Sequence, residues 1–478
     1  MEDKIEAEEQ GRKLGFGALV AIVLGMMIGS GLYNIPQNLA AGAGPVSVGL
    51  AWIVTAVGML LLVATFKILS SSRPDLDAGI YQYAQEGFGN FAGFNIAWGY
   101  WLCTAFANVA YAVMLNDSFG AFFPRLLDHG WQTLALGTVL IWSMYFIVAG
   151  GIKTAKLLNN ILAAVKVTAI ALICVLLLIN VRSGVFEMNV IDETLSAGSL
   201  MSQVKSTMLV TLWCFIGIEG AVMMAARAKR VSDVGKAGVS GFLIAWLLYV
   251  LVSLLCFGVM SRAKLAGLDD PSVAYVLRSI CGDWAYYFVI IAVIVSLLGG
   301  WLAWTLVCAQ VPLEASVVGI FPRSFQRLNR HGMPGYGLLV SSVVMESFLI
   351  MVLCTEHVYM TALEVTGMMV LPAYLSGGAY LWKITLRKDS RLNLTGWKLR
   401  RAQTIGACCT AYCLWLIYAG GIDLFMFTSF FYIVGLGFYF PAMRERARKG
   451  EKRISRGDIV IGIVIACGVI GSVCILLR

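Results

Sequence analysis

Charged residues are scarce in this sequence. Asp, Glu, Lys and Arg make up 13% of the 478 residues, whereas soluble globular proteins carry about 25%. Hydrophobic residues account for 59% of the chain, and the mean hydropathy is +0.81. This composition excludes an ordinary water-soluble enzyme and predicts an all-α protein that crosses a lipid bilayer many times.

Histidine and paired cysteine motifs are also lacking. The chain has three histidines, and its twelve cysteines form no CxxC pair and no Cys/His spacing typical of zinc sites. A phosphate-binding loop and a Ser/His/Asp arrangement are absent as well. We therefore expect no metal, no other cofactor and no catalytic residues. A membrane enzyme has little support, because it needs a polar catalytic cluster at an interface.

A hydrophilic stretch long enough for a soluble domain is missing too. A nutrient sensor derived from a transporter would normally carry a soluble signalling extension, so this alternative is disfavoured. The first fourteen residues, MEDKIEAEEQGRKL, are charged, and the apolar run after them is too long for a cleavable signal peptide. Function is therefore expected within or between membrane helices.

Apolar runs of roughly 20 residues, the length that crosses a bilayer, recur along the chain. They predict about thirteen spans, with ends uncertain by several residues, at 15–39, 45–70, 84–122, 131–150, 157–181, 203–226, 237–261, 284–317, 336–354, 358–382, 402–420, 422–442 and 457–477.

Basic residues fall on one side of these spans. With a cytoplasmic N-terminus, 28 of the 36 lysines and arginines lie in inside segments, and 383–401 and 443–456 each hold seven. Cytoplasmic loops of membrane proteins carry such an excess. We predict a cytoplasmic N-terminus, an outside C-terminus and contact with anionic lipid headgroups. The positive net charge therefore needs no nucleic-acid partner.

Glycines interrupt two apolar segments at membrane depth. Residues 25–31 read GMMIGSG, and residues 211–221, about five spans later, read TLWCFIGIEGA. Paired interruptions in matching positions of two halves are typical of transporter binding sites, where unwound backbone groups face a ligand. Gly-x-x-x-Gly alone also permits close helix packing, but the carboxylate within the second segment favours a site.

Three segments together resemble a known family: GMMIGSGLYNIPQNLAAGAG, PDLDAGIYQYAQEGFGNFAGFNIAWGYWLC and TLWCFIGIEGA. They are similar to the amino acid–polyamine–organocation superfamily, specifically its arginine/ornithine and arginine/agmatine antiporters. The resemblance covers about residues 14–440. It implies a leucine-transporter-type 5+5 inverted repeat with discontinuous helices 1 and 6, a bacterial inner-membrane location and a homodimer.

The implied domain limits are a tail at 1–14, a first repeat at 15–181, a second repeat at 203–382, two further spans at 402–442 and an additional span at 457–478. Substrate-binding residues are implied as well. The helix breaks would supply backbone groups, and other helices would add aromatic, polar and acidic side chains. The implied set is Gly29, Ser30, Gly31, Tyr100, Asn108, Trp213, Phe215, Ile216, Ile218, Trp304 and Glu364. Cys214 departs from some arginine/agmatine members, which carry Ser there.

Charged residues inside predicted spans are usually functional. Glu219 lies in the second interrupted segment, and the resemblance assigns it to gating or proton response, against a structural hydrogen-bonding role. Glu364 faces the cationic end of a substrate or makes a buried helix contact. Lys166 either replaces the sodium ion of related carriers or extends along the helix to the inner surface.

The resemblance implies an exchanger of cationic amino acids that works by alternating access, importing arginine and exporting ornithine or agmatine. A proton-coupled amino acid symporter of the same fold is the alternative. Net uptake driven by a pH gradient, without internal substrate, distinguishes the symporter from the exchanger.

Overall fold

The computed structural model describes residues 15–29, 31–76, 79–219, 229–355 and 358–447, with a few residues between 462 and 471. Throughout these ranges the structure consists of helices and their connections. We number the α-helices in chain order. They are α1 Phe16–Met27, α2 Gly31–Gly42, α3 Pro45–Ser72, α4 Ile80–Phe88, α5 Asn90–Gly120, α6 Trp131–Ala149, α7 Ile152–Asn180, α8 Ser183–Ile191, α9 Ala197–Trp213, α10 Val231–Phe257, α11 Arg262–Ala266, α12 Ser272–Cys281, α13 Asp283–Val317, α14 Gly335–Val352, α15 Val358–Leu386, α16 Gly396–Gly420 and α17 Ile422–Ala447. Short 3₁₀ helices occur at Pro124–Asp128, Arg323–Gln326 and Ser390–Leu392.

Each predicted span between residues 15 and 442 corresponds to a helix or a helix pair. Among the described residues, eight helices are long and apolar enough to cross a membrane, and two bent pairs raise the number to ten. The bent pairs are α1 with α2 and α7 with α8; α9 and α15 lie outside that set. The chain is therefore an all-α, multi-pass membrane protein. The predicted tail 1–14 and most of the predicted span 457–477 lie outside the described residues.

One predicted span is wrong in its extent. The segment 84–122 is not a single helix, because α4 ends at Phe88 and α5 begins at Asn90. Gly89 separates the two with φ 109°, a backbone conformation that side-chain-bearing residues rarely adopt. The short α4 therefore changes direction at Gly89 before the long α5.

Helix contacts follow the symmetry of an inverted repeat. If each helix of the first half exchanges with the helix five spans later, α3 corresponds to α10, α5 to α13, α6 to α14 and α7 to α15. The first three of these pairs pack against each other, whereas α7 and α15 do not in the described part of the chain. Other contacts occur in exchanged pairs: α5 with α15 matches α13 with α7, and α1 with α10 matches α9 with α3. This pattern fits the predicted 5+5 fold; the repeat limits 15–181 and 203–382 stay predictions.

Two short helices that the sequence analysis did not predict, α11 and α12, pack against α2, and a third, α8, is bonded to α11. Arg262, at the start of α11, donates from Nε to the Ala40 carbonyl at 2.9 Å. The Ser272 hydroxyl of α12 lies 3.3 Å from the Tyr33 carbonyl oxygen. The side chain of Asn189 in α8 accepts from the Arg262 amide at 2.8 Å. Loop segments thus hold the second half of the broken helix in place.

Candidate functional site

The first interrupted segment is a true helix break. α1 ends at Met27, Ile28 is extended with φ −81° and ψ 92°, and α2 begins at Gly31. The two halves meet at an angle of 46°. A helix that ends inside a membrane leaves carbonyl groups unpaired on one side of the break and N–H groups on the other. Gly29 and Gly31 lie at this break as predicted, and Ser30 lies outside the described residues.

The second interrupted segment also breaks where the sequence predicted. α9 ends at Trp213, and residues 214–219 form turns. Gly217 has φ 104°, and a Cβ atom there would lie 3.0 Å from the Trp304 ring and 3.1 Å from Met26 Cβ. Only glycine combines this backbone conformation with such close packing. The two breaks therefore touch each other near Gly217.

A small cavity lies between the breaks. Five residues of the predicted substrate-binding set line it, namely Gly29, Gly31, Trp213, Ile216 and Trp304. The sequence analysis missed the other five, which are Met26, Met27, Ala107, Tyr111 and Tyr249. The wall thus combines glycine backbone, two indole rings and two phenol rings, with no carboxylate among the lining residues.

Both tryptophans are fixed against the breaks. The Trp304 indole N–H donates to the Met26 carbonyl at 3.3 Å, in the last turn of α1. The Trp213 ring lies against Gly31, where an added Cβ would be 2.9 Å from Cδ1. Both side chains are buried. Flat aromatic faces held in this way can bind the cationic end of a ligand by cation–π attraction.

Glu219 is buried beside the second break and has three partners. Its carboxylate accepts from the Tyr100 hydroxyl at 2.5 Å, the Tyr374 hydroxyl at 2.8 Å and the Gly217 amide at 3.3 Å. The structure therefore brings together two predicted residues, Tyr100 and Glu219, and adds Tyr374 from α15. None of the three lines the cavity. They connect the second break to α5 and α15.

Lys166 points at the first break. Its ammonium donates to the Ile28 carbonyl at 2.5 Å and lies 3.3 Å from the Gly25 carbonyl oxygen. The residue is 3% exposed, so its side chain does not extend along α7 to the membrane surface. The ammonium thus satisfies carbonyl groups that the end of α1 leaves open.

The remaining predicted residues lie around the cavity without lining it. Asn108 donates to the Thr104 carbonyl at 2.8 Å within α5. The Phe215 ring packs on Trp52 and Tyr249, and its carbonyl accepts from the Ile218 amide at 3.1 Å. Glu364 is half-buried on α15. Of the lining that the sequence analysis missed, Met26 and Met27 lie within the segment GMMIGSG and could have been included. Tyr111 and Tyr249 had no local signal, because aromatic residues are frequent throughout this chain.

Comparison with known proteins identifies the fold. The amino acid permease family matches residues 14–465. An arginine/agmatine antiporter of Chlamydia abortus is 41% identical over 465 residues, covering 96% of this chain and 95% of its own length. The arginine/agmatine antiporter of Chlamydia caviae is 40% identical over 462 residues, 95% of each chain. That of Chlamydia pneumoniae is 39% identical over 459 residues, 95% of this chain and 94% of its own.

Proposed function

The chain belongs to the amino acid permease family, and on this premise we propose that it exchanges external arginine for internal agmatine or ornithine by alternating access. The observation that carries the proposal is the cavity that lies between the two helix breaks and is walled by Trp213 and Trp304. Relatives that are about 40% identical over nearly the whole chain are named arginine/agmatine antiporters, which supports this substrate pair.

In the proposed complex, the polar ends of the substrate face the backbone of the breaks. The carboxylate lies at Gly29, Ser30 and Gly31, where the positive end of the α2 dipole favours an anion. The α-amino group lies at the carbonyls of Phe215, Ile216 and Ile218. Since the Phe215 carbonyl already accepts one hydrogen bond, it would use its second lone pair.

The cationic end is proposed to stack on Trp213 and Trp304. Each such contact contributes about 0.5–2 kcal/mol. The cavity wall carries no carboxylate, so aromatic faces rather than an ion pair would recognise the charge. Asn108 and Glu364, which lie outside the cavity wall here, are proposed to contact substrate in another state of the transport cycle.

Glu219 and Lys166 are proposed to control the conformational change. The Glu219 carboxylate joins the second break to Tyr100 and Tyr374. If residues 214–219 move during transport, both hydrogen bonds are expected to break or persist at the same time. The Lys166 ammonium occupies the carbonyl end of α1, where a bound cation would otherwise be needed. We therefore propose that transport is independent of sodium. We also propose that the protein lies in a bacterial inner membrane as a homodimer, with its N-terminus in the cytoplasm.

Obligate exchange has a simple physical basis. If the empty carrier changes conformation slowly and the occupied carrier quickly, only bound states cross the membrane. The test is uptake of radiolabelled arginine into sodium-free proteoliposomes preloaded with arginine, agmatine, ornithine or nothing. Uptake only against an internal cationic substrate is expected. Uptake into empty vesicles that follows a proton gradient would contradict exchange and support the symporter.

A further inference from the structure

Tyr111 belongs to the cavity wall, although no sequence signal marked it. It lies on α5, is 4% exposed and lines the cavity with Trp213 and Trp304. Its hydroxyl group lies against Gly29, so a Cβ atom at that glycine would be 2.2 Å from the phenol oxygen. Gly300 of α13 lies near the same hydroxyl, since a Cβ atom at Gly300 would be 3.5 Å from the phenol oxygen. Two glycines thus make room for this phenol.

A second tyrosine in the same wall shows a different use of its hydroxyl. Tyr249 of α10 donates to the Met27 carbonyl at 2.8 Å, so its hydroxyl holds the end of α1. The Tyr111 oxygen lies beside Gly29, in the gap between α1 and α2, and is also hydrogen-bonded to Trp304, whose indole N–H can only donate. This gap is where the freed N–H groups of the second half begin. Both hydroxyls therefore lie at the first break, since that of Tyr249 also contacts the Gly29 backbone, but only Tyr249 donates its proton to a carbonyl of α1.

We propose that the Tyr111 hydroxyl donates a hydrogen bond to the carboxylate of the bound amino acid and so distinguishes amino acids from their decarboxylated amines. The inference rests on the proposed function, which places that carboxylate at Gly29–Gly31. A neutral hydroxyl is suited to this role in an exchanger. It strengthens the binding of a carboxylate through a charge-assisted bond, yet leaves no buried charge uncompensated when an amine without a carboxylate occupies the site.

The test compares arginine with agmatine, which is arginine without its carboxylate. Purified Tyr111→Phe keeps the ring and loses only the hydroxyl. We expect its affinity for arginine and ornithine, measured by calorimetry and by competition for exchange, to fall about tenfold. Agmatine affinity should change less than twofold, and retained agmatine binding would show that the variant is folded.

Tyr249→Phe is the matched control. It removes a hydroxyl from the same cavity, but this hydroxyl donates to the Met27 carbonyl. Any loss of affinity should therefore be equal for arginine and agmatine. If the wild-type protein exchanges both substrates but Tyr111→Phe leaves the ratio of arginine to agmatine affinity unchanged, the inference is overturned and the proposed function stands. If the wild-type protein exchanged neither, the proposed function would fail and the inference with it.

Discussion

The Lys166 ammonium nitrogen lies 2.5 Å from the carbonyl oxygen of Ile28. This contact joins α7 to the first break and places the Lys166 side-chain nitrogen at the carbonyl end of α1. Under the proposed function, this side chain takes the place of a bound cation. The position of Lys166 thus determines how the break is held when the cavity is empty.

Removal of this ammonium should impair transport. We expect Lys166→Ala to reduce arginine exchange at least tenfold, because open carbonyl groups buried without a partner are costly. Wild-type exchange should be equal in sodium and potassium buffers. Lys205→Ala is the control, since Lys205 lies over the Tyr418 ring and away from the breaks. If the wild-type protein lost its exchange activity in sodium-free buffer, this would contradict the proposed role of Lys166.

Loss of the Tyr374 hydroxyl should slow the conformational change more than it weakens binding. The hydroxyl donates to Glu219 at 2.8 Å, and neither residue lines the cavity. We expect Tyr374→Phe to lower the maximal exchange rate about tenfold, with the KM for arginine within about threefold of wild type. Initial rates over a range of arginine concentrations separate the two effects. A rise in KM at constant maximal rate would instead place this group at the substrate.

Gly29 and Tyr111 should show coupled effects. A Cβ atom at Gly29 would lie 2.2 Å from the Tyr111 oxygen and 3.0 Å from Cζ, so Gly29→Ala should reduce agmatine transport strongly. Tyr111→Phe removes the nearest atom, and the double variant should recover part of that loss. A double-mutant cycle on agmatine exchange measures the coupling. Additive losses would show that the two residues do not touch in the working protein.

A cluster formed by Asp117, His129 and Asp270 should become more stable as the pH falls. Asp117 accepts from His129 at 2.8 Å, and this hydrogen bond raises the pKa of His129 above its ordinary value. Burial, with the charges of Asp117 and Asp269, raises the pKa of Asp270 to about 8. The His129 contribution to stability is complete below the unfolded pKa and is lost as pH rises through the raised pKa. The pKa of Asp270 is near 4 in the unfolded chain and about 8 in the folded protein, so the folded state loses stability as the pH rises between these two values. Rising pH therefore destabilises the cluster at both residues.

Hydrogen exchange checks this pH dependence. After correction for intrinsic rates, we expect amides of the loop around Asp270 to be better protected at pH 5 than at pH 8. Asp270→Asn should reduce the difference, because it leaves only the His129 contribution. Arg278→Ala, whose partner Asp283 lies in an exposed ion pair, is the control. Equal protection at both pH values would contradict the assignment.

Local chemistry made much of the fold predictable. Glycines mark both helix breaks, since Gly217 needs a positive φ and Gly29 closely approaches another helix. The split of the predicted span 84–122 at Gly89 was missed, although Gln85, Glu86 and Asn90 interrupt the apolar run around it. The short helices α8, α11 and α12 were missed too, because their length is below that of a membrane span.

The cavity wall was only half predictable. Gly29, Gly31, Trp213, Ile216 and Trp304 belong to segments that the family resemblance covers, and they line the cavity. Tyr111, Tyr249 and Tyr374 lie outside the three segments that carry the resemblance, and Tyr374 does not line the cavity. A tyrosine in an apolar helix has the same sequence context whether its hydroxyl meets backbone, a carboxylate or a ligand. Its role depends on which residue, more than a hundred positions away, lies opposite.

The sequence by itself determined the membrane location, the two breaks and the family, because apolar length, glycine position and motif are local properties of the chain. Only the tertiary structure decided which groups meet at the breaks. It joined Lys166 to Ile28, Glu219 to Tyr100 and Tyr374, and Tyr111 to Gly29. Within a bilayer almost every helix face is apolar, so hydrophobic pattern cannot select partners; close packing and hydrogen bonding between distant segments select them.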